Sequence, residues 1–349
     1  MKRVLILADF LYPEVIGGSA RMATDINTVM HENGYDILVC TRKKTGYYTG
    51  FESTSRPYKV KMGIKNIFDG LSDFFTKYDK TIIHHYLCGI LIMFFLKPGR
   101  VIYFFHGPVG LEYRAKGGSW LIGKIKSLVE YIVLKKADDI VCLSEYIKQY
   151  VPLSLQDKVC VVGPINNIAN KHIKNRFDDK TSIPIKLLTV RRFTARTGIL
   201  ELIELVNQLE NSIELVIVGT GELEEEVRKR AKKHIKIVTK VSDEILNQLY
   251  LKADLCVLPS IEIEGFGLVI IEALLNSTPV LASSRAGGGA DFLKQFSENF
   301  IYDIKNTCSE AFLISVTNAI NAYRNTQLRN SMVSELKKYS LDNFVQRFI

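Results

Sequence analysis

The sequence predicts an α/β protein of two doubly wound, Rossmann-like domains, and three observations lead there. Short apolar runs alternate with longer stretches of helical character, and the alternation starts afresh in the second half of the chain. A polar, turn-rich segment, residues 166–183, separates the two series. The length of 349 residues with 47% hydrophobic content suits two ordinary domains, each able to bury a core. The expected domains are 1–165 and 184–325, with 326–349 a closing helical segment able to pack back toward the first domain.

In the first half, the apolar run Val4–Ala8 reads as a central parallel strand. A loop follows with Pro13 and the pair Gly17-Gly18, then a helix from about Ala20 that stops at Gly34, then the strand Ile37–Thr41. Gly17-Gly18 lets the backbone come close to a ligand. No G-x-G-x-x-G fingerprint accompanies it, and a glycine pair also serves a plain turn. Residues 43–80 carry no clear pattern. Thr81–His84 and Val101–Phe105 read as strands, the second ending on His106-Gly107-Pro108. Ligands of open parallel sheets bind beyond the carboxyl ends of the strands. That puts His106 where chemistry is expected, with a structural turn histidine as the competing reading.

Residues 118–136 form an amphipathic helical pattern. Trp120, Leu121, Ile125, Leu128, Val129, Ile132 and Val133 recur at helical spacing among Lys116, Lys124, Lys126, Lys135 and Lys136. Such a helix either docks on anionic lipid or packs on the core with its lysines in solvent, and the second is the default expectation. Asp139–Ser144 and Val159–Val162 complete the first series of strands.

The second series opens with the strand Ile185–Val190 and a basic loop, Arg191-Arg192-Phe193-Thr194-Ala195-Arg196-Thr197-Gly198. A strand at Glu214–Val218 leads into Gly219-Thr220-Gly221, and Ser242 is placed to cap a helix that starts at Asp243. The strand Leu255–Leu258 ends at Pro259 and enters a loop with acids and two glycines, and an apolar helix starts at about Leu268. A strand, a glycine turn and a helix N-terminus together make an anion site, because free N–H groups and the helix dipole face the ligand. Glu264 and Glu272 frame that helix start and can grip hydroxyls on either side of a bound phosphate, so the pattern points to a nucleotide sugar. Arg285 to Asp291 includes three consecutive glycines, which also suit a simple flexible turn.

Composition narrows the function classes. The net charge is +9, and residues 1–170 hold 22 Lys/Arg against 15 Asp/Glu while the remainder holds 24 against 22. A basic first half fits an anionic membrane surface or an anionic substrate, or simply scattered solubilising lysines. No basic-aromatic motif or finger spacing points to nucleic acid. The six cysteines lie far apart without metal spacing, as expected of buried free thiols in a reducing compartment. Asp9 interrupts the apolar run after Lys2-Arg3 too early for a signal peptide, and the longest wholly apolar run, Gly89 to Leu96, is far short of a membrane span. A cytoplasmic protein is expected, with peripheral contact to the inner face of the cell membrane as an option.

The second-half motifs carry a family resemblance. Pro259-Ser260, Glu264-Gly265-Phe266-Gly267-Leu268, Glu272-Ala273, Thr278-Pro279-Val280 and Gly287-Gly288 resemble the signature of the retaining GT-B glycosyltransferases of family 4, the E-x7-E type, over nearly the whole chain. The resemblance implies two Rossmann-like domains facing across a cleft, no metal and no cofactor beyond a nucleotide diphosphate sugar as co-substrate. It implies that Glu264 contacts hydroxyls of the transferred sugar and Glu272 the ribose, with the backbone around Gly267 and Leu268 on the distal phosphate and Gly265 and Phe266 also in the donor site. His106 matches the histidine near the donor sugar, and Tyr12-Pro13 with Gly17-Gly18 the loop facing acceptor and phosphate. Arg192 matches an arginine on the diphosphate. The usual lysine five residues later is Thr197, and Arg196 beside it is the substitute. Lys240 is a second departure, where relatives often have glycine. The implied acceptor is a glycan or lipid-linked intermediate of cell-envelope polysaccharide synthesis. A nucleotide-sugar 2-epimerase, a phosphorylase or a non-catalytic nucleotide-sugar-binding partner subunit would share the fold.

Overall fold

The computed structural model describes residues 2–9, 11, 12, 18–41, 59–62, 77–93, 99–115, 117–165, 183–262 and 264–348. The chain divides into two units, Met1–Asn167 with Tyr339–Ile349, and Ile168–Lys338.

The first unit is built on strands β1 (Arg3–Ala8), β2 (Asp36–Thr41), β3 (Lys59–Met62), β4 (Lys80–Ile83), β5 (Arg100–Phe104), β6 (Asp139–Cys142) and β7 (Val159–Val161). They form one sheet in the order β3-β2-β1-β4-β5-β6-β7, with every described pairing parallel. Parallel strands are covered by helices on both faces, which is why β1 is apolar after Arg3 and Val4 to Leu7 are wholly buried. Strand β3 lies inside the stretch that carries no sequence pattern. It is an edge strand reading Lys-Val-Lys-Met, too short and too polar to announce itself. The chain returns to this unit at its end. The ring of Tyr339 lies against Gly163, and the helix Leu341–Phe348 buries Leu341, Phe344 and Val345, with Phe344 edge-on to Phe104 at 5.6 Å. The preceding helix, Thr326–Lys337, belongs to the second unit, so residues 326–348 form two helices with a break at 338–340.

The second unit holds β8 (Ile185–Val190), β9 (Ile213–Val218), β10 (Ile235–Val238), β11 (Leu255–Leu258), β12 (Val280–Ser283) and β13 (Ile301–Tyr302) in the order β10-β9-β8-β11-β12-β13. The helix Ile199–Val206 buries Ile199, Leu202, Ile203, Leu205 and Val206, each contributing about 1.5–3 kcal/mol of transfer free energy. Ser242 caps the helix Asp243–Lys252 by accepting from the Ile245 N–H at 3.3 Å, as its sequence position predicts. In both sheets the strand order reverses beside the first strand, between β1 and β4 and between β8 and β11. Those reversals open crevices at the carboxyl ends of the strands.

Candidate functional site

The reversal in the second unit brings the loops after β8 and β11 together. Arg191 leaves β8 with its backbone clamped. Its N–H donates to the Val218 carbonyl at 2.9 Å, and Gly219 sits so close that a Cβ there would lie 1.8 Å from the Arg191 carbonyl oxygen. The Arg191 side chain then runs to the β11 loop. Nη2 donates to Ser260 Oγ at 2.9 Å and to Glu264 Oε2 at 2.5 Å. Ser260 is wholly buried, and its hydroxyl also donates to Glu264 Oε2 at 3.1 Å. Both donors converge on one carboxylate oxygen, so Oε1 of Glu264 has no hydrogen-bond partner among the described residues. The side chains of Arg191 and Glu264 are 8% and 17% exposed, which makes this a largely desolvated pair. Burial raises the Glu264 pKa. The charges of Arg191 and Arg196 and the two hydrogen bonds outweigh that effect and hold the carboxyl below its ordinary value.

The two loops are also tied through their backbones, since the Ile261 N–H donates to the Arg196 carbonyl at 3.0 Å. Thr197, where the resemblance expects a lysine, is buried and donates to the carbonyls of Thr194 at 2.7 Å and Arg192 at 2.9 Å. It staples the basic loop. Arg192 itself is exposed. The structure pairs Glu264 with Arg191, while Arg192 is the residue that the resemblance gives to the donor diphosphate.

Past Glu264 the chain turns through Gly265 and the buried Phe266, which packs edge-on to Phe292 at 5.5 Å. Gly267 caps the helix Leu268–Leu275 with φ +78°, a left-handed conformation, and a Cβ there would lie 2.9 Å from Leu258 Cδ2. This turn aims the helix N-terminus out of the carboxyl end of the sheet, beside Glu264. Glu272, one turn from the helix end, accepts from the hydroxyl of the buried Tyr250 at 2.9 Å.

In the first unit the corresponding reversal gathers histidines. His84 follows β4 and His106 follows β5, and their rings stack with His84 Nδ1 3.3 Å from His106 Nε2. His84 also stacks on Phe104 at 4.5 Å. Burial, reinforced by the neighbouring His106, pushes His84 well below the ordinary histidine value; burial and the nearby His85 bring His106 to about 4. Both rings are therefore neutral at physiological pH. His85 Nε2 lies 3.9 Å from Asp9 Oδ2. The loop carrying His106 is held by Glu130, whose Oε2 accepts from the Val109 N–H at 3.2 Å while Oε1 accepts from Tyr103 Oη at 3.2 Å. Gly18 begins the helix Gly18–Glu32, and Tyr12 N–H donates to Thr24 Oγ1 at 3.0 Å; Gly17 and Pro13 lie outside the described residues.

Comparison with known proteins decides the family. The family model described as Glycosyl transferases group 1 matches residues 153–335, just over half of the chain, and that described as Glycosyltransferase Family 4 matches residues 16–164. The chain belongs to the group 1 glycosyl transferases. It is 26% identical over 240 residues to the uncharacterized glycosyltransferase MJ1607 of Methanocaldococcus jannaschii, covering 63% of this chain and 61% of the relative. A second glycosyltransferase of that organism, MJ1178, is 28% identical over 156 residues, 44% of this chain and 41% of its own length. The match thus spans less than two thirds of either relative. Among solved structures, Anabaena Alr3699/HepE in complex with UDP and glucose superposes with a TM-score of 0.77 at 14% identity, covering 99% of both chains. WaaG, a glycosyltransferase involved in lipopolysaccharide biosynthesis, gives 0.65 at 15% identity over 96% of this chain and 94% of its own. At such identities the likeness is one of fold, and the fold is GT-B.

Arg191, Tyr250, His84 and Glu130 are not singled out by the sequence motifs, and Ser260 enters them only as part of the Pro259-Ser260 signature, with no role attached. The one available signal was the doubled arginine at the end of β8, which leaves open which of the two turns inward.

Proposed function

We propose that this group 1 glycosyl transferase is a retaining, metal-independent enzyme. It would move a sugar from a nucleotide diphosphate sugar to a glycan or lipid-linked acceptor, on the cytoplasmic side of the membrane in envelope polysaccharide synthesis. The observation that carries the donor reading is Glu264. Its carboxylate is kept ionised by Arg191 and Ser260 through one oxygen, leaves the other to accept from a sugar hydroxyl, and sits beside the N-terminus of Leu268–Leu275. The helix N-terminus suits a phosphate, and Glu272, oriented by Tyr250, suits ribose hydroxyls. HepE, a protein of the same fold, is described in complex with UDP and glucose, which supports the ligand class.

In the reaction the bond from the anomeric carbon to the diphosphate oxygen breaks and a bond from the acceptor oxygen to that carbon forms on the same face. The acceptor proton passes to the leaving phosphate. Arg192, Arg196 and the helix N-terminus would meet the growing charge on that phosphate, which is why no metal is invoked. Retention of configuration and a place for the neutral His106 near the donor sugar rest on the family resemblance. The basic first half supports an anionic or membrane-borne acceptor, and the free thiols, four of them buried, suit a reducing compartment. A thermal-shift panel of nucleoside diphosphates and nucleotide sugars tests the donor reading. Ligand at a hundred times its Kd adds about 2.7 kcal/mol, so one nucleotide series should raise Tm and lose that effect in Glu272→Ala. A flat panel contradicts the reading.

A further inference from the structure

The helix Trp120–Lys136 turns its apolar stripe outward. Leu121, Ile125, Leu128 and Ile132, spaced by four, three and four residues, lie on one face and are 61%, 53%, 60% and 45% exposed. Trp120 at the helix start is 56% exposed as well. The inward face carries Gly123, Glu130, Val133 and Leu134. The default expectation of a core-packed apolar face is therefore overturned for these residues. Lys124, Lys135 and Lys136 are exposed along the margins of the apolar stripe, and Lys124 Nζ rests 4.5 Å over the Trp120 ring. The one acid of the helix is Glu130, buried and bonded to Tyr103 and to Val109.

We propose that this face docks the protein on an anionic lipid surface. Exposed apolar side chains rimmed by lysines match the boundary between acyl chains and negatively charged headgroups, where long lysine stems reach up to the charge. A second copy of the chain fits less well. A two-fold pairing of this helix with itself would bring its lysines together with no exposed acid on the helix to meet them. At 17 residues the helix is about 25 Å long and lies along a surface, and no helix among the described residues is long and apolar enough to cross a membrane. The proposal uses no residue of the donor site and its readout needs no turnover, so it and the transferase reading fail separately.

Trp120 is the only tryptophan of the chain, so its fluorescence reports this helix without labelling. The test mixes the full chain with vesicles of phosphatidylcholine alone, or with about one third phosphatidylglycerol. Flotation and the quenching of Trp120 by lipids brominated on their acyl chains are then followed. Binding is expected only with phosphatidylglycerol, with quenching and a loss of affinity as salt rises. Leu121→Ser with Leu128→Ser should lower partitioning at least tenfold. Each of Lys124→Gln, Lys135→Gln and Lys136→Gln should lower it about fivefold. All five positions are exposed, so circular dichroism should be unchanged. Absence of binding at low salt overturns the proposal, as does Trp120 that stays unquenched in bound protein or a leucine variant that binds like the wild type. A dimer formed without vesicles and abolished by the leucine variant would instead give the face to a second copy.

Discussion

Replacing Arg191 by methionine keeps much of the side-chain volume and removes the charge that holds Glu264. Taking one partner from a buried ion pair costs about 3–5 kcal/mol. The 17% exposure of the Glu264 side chain and the remaining influence of Arg196 bring the expected loss to about 2–3 kcal/mol near neutral pH. The loss should depend on pH with a definite sign. In the wild type the Glu264 pKa is held below its ordinary value of 4.5, so the stabilisation is present above 4.5 and is lost as pH falls through the folded-state value. In Arg191→Met, burial acts against a weaker opposing charge and the carboxyl titrates higher. The gap between the two proteins should therefore shrink from neutral pH to about pH 4. Urea denaturation followed by far-UV circular dichroism, on the wild type, Arg191→Met, Glu264→Gln and the double variant, gives the coupling directly. A coupling of about 1.5–3 kcal/mol is expected at neutral pH. A coupling near zero, or a loss that does not change with pH, would refute the account of how Glu264 is held.

Three further outcomes follow from the same geometry. Gly267→Ala forces a Cβ into a left-handed residue and 2.9 Å from Leu258 Cδ2, so it should cost about 1–2 kcal/mol in urea denaturation and weaken nucleotide binding in the same samples. Tyr250→Phe leaves Glu272 without its hydroxyl donor; calorimetric titration with the nucleoside diphosphate should show binding weakened by about 1 kcal/mol, while Tyr146→Phe, away from this contact, should leave it unchanged. Burial raises Glu130 to about 8, so it is protonated in the fold and loses stability for the protein as pH rises from 4.5 through 8. Glu130→Gln should flatten that part of the pH–stability profile, and a profile unchanged by the substitution would count against the burial.

Much of the fold is legible because parallel strands are covered on both faces. Runs such as Val4 to Leu7 and Leu255 to Leu258 are apolar without interruption, and no competing element explains them. Strands β3 and β13 escape notice because an edge of four residues reading Lys-Val-Lys-Met and a strand of two are too short to leave a pattern. The spacing of Glu264 and Glu272 is local, so the chain itself displays it. The residues that position them are not local. Arg191 is 73 residues from Glu264, and Tyr250 is 22 from Glu272; only the strand order and helix packing bring them together. Which arginine of the pair turns inward depends on how the turn after β9 clamps the backbone, and no propensity encodes that. The helix Trp120–Lys136 teaches a related lesson. Periodicity reveals that an apolar stripe exists, but neighbouring helices decide what it faces, and here Gly123 and Val133 are the side they cover.

The central claim is that Glu264, held by Arg191 and Ser260, serves a donor sugar in a transfer reaction. Release of nucleoside diphosphate from a panel of nucleotide sugars, by wild type and Glu264→Ala side by side, tests it most directly. The account predicts release from at least one nucleotide sugar by the wild type, increased by the right glycan or lipid-linked acceptor and reduced at least a hundredfold in Glu264→Ala, a loss of about 2.7 kcal/mol or more in transition-state stabilisation. Equal activity of the two proteins would contradict it.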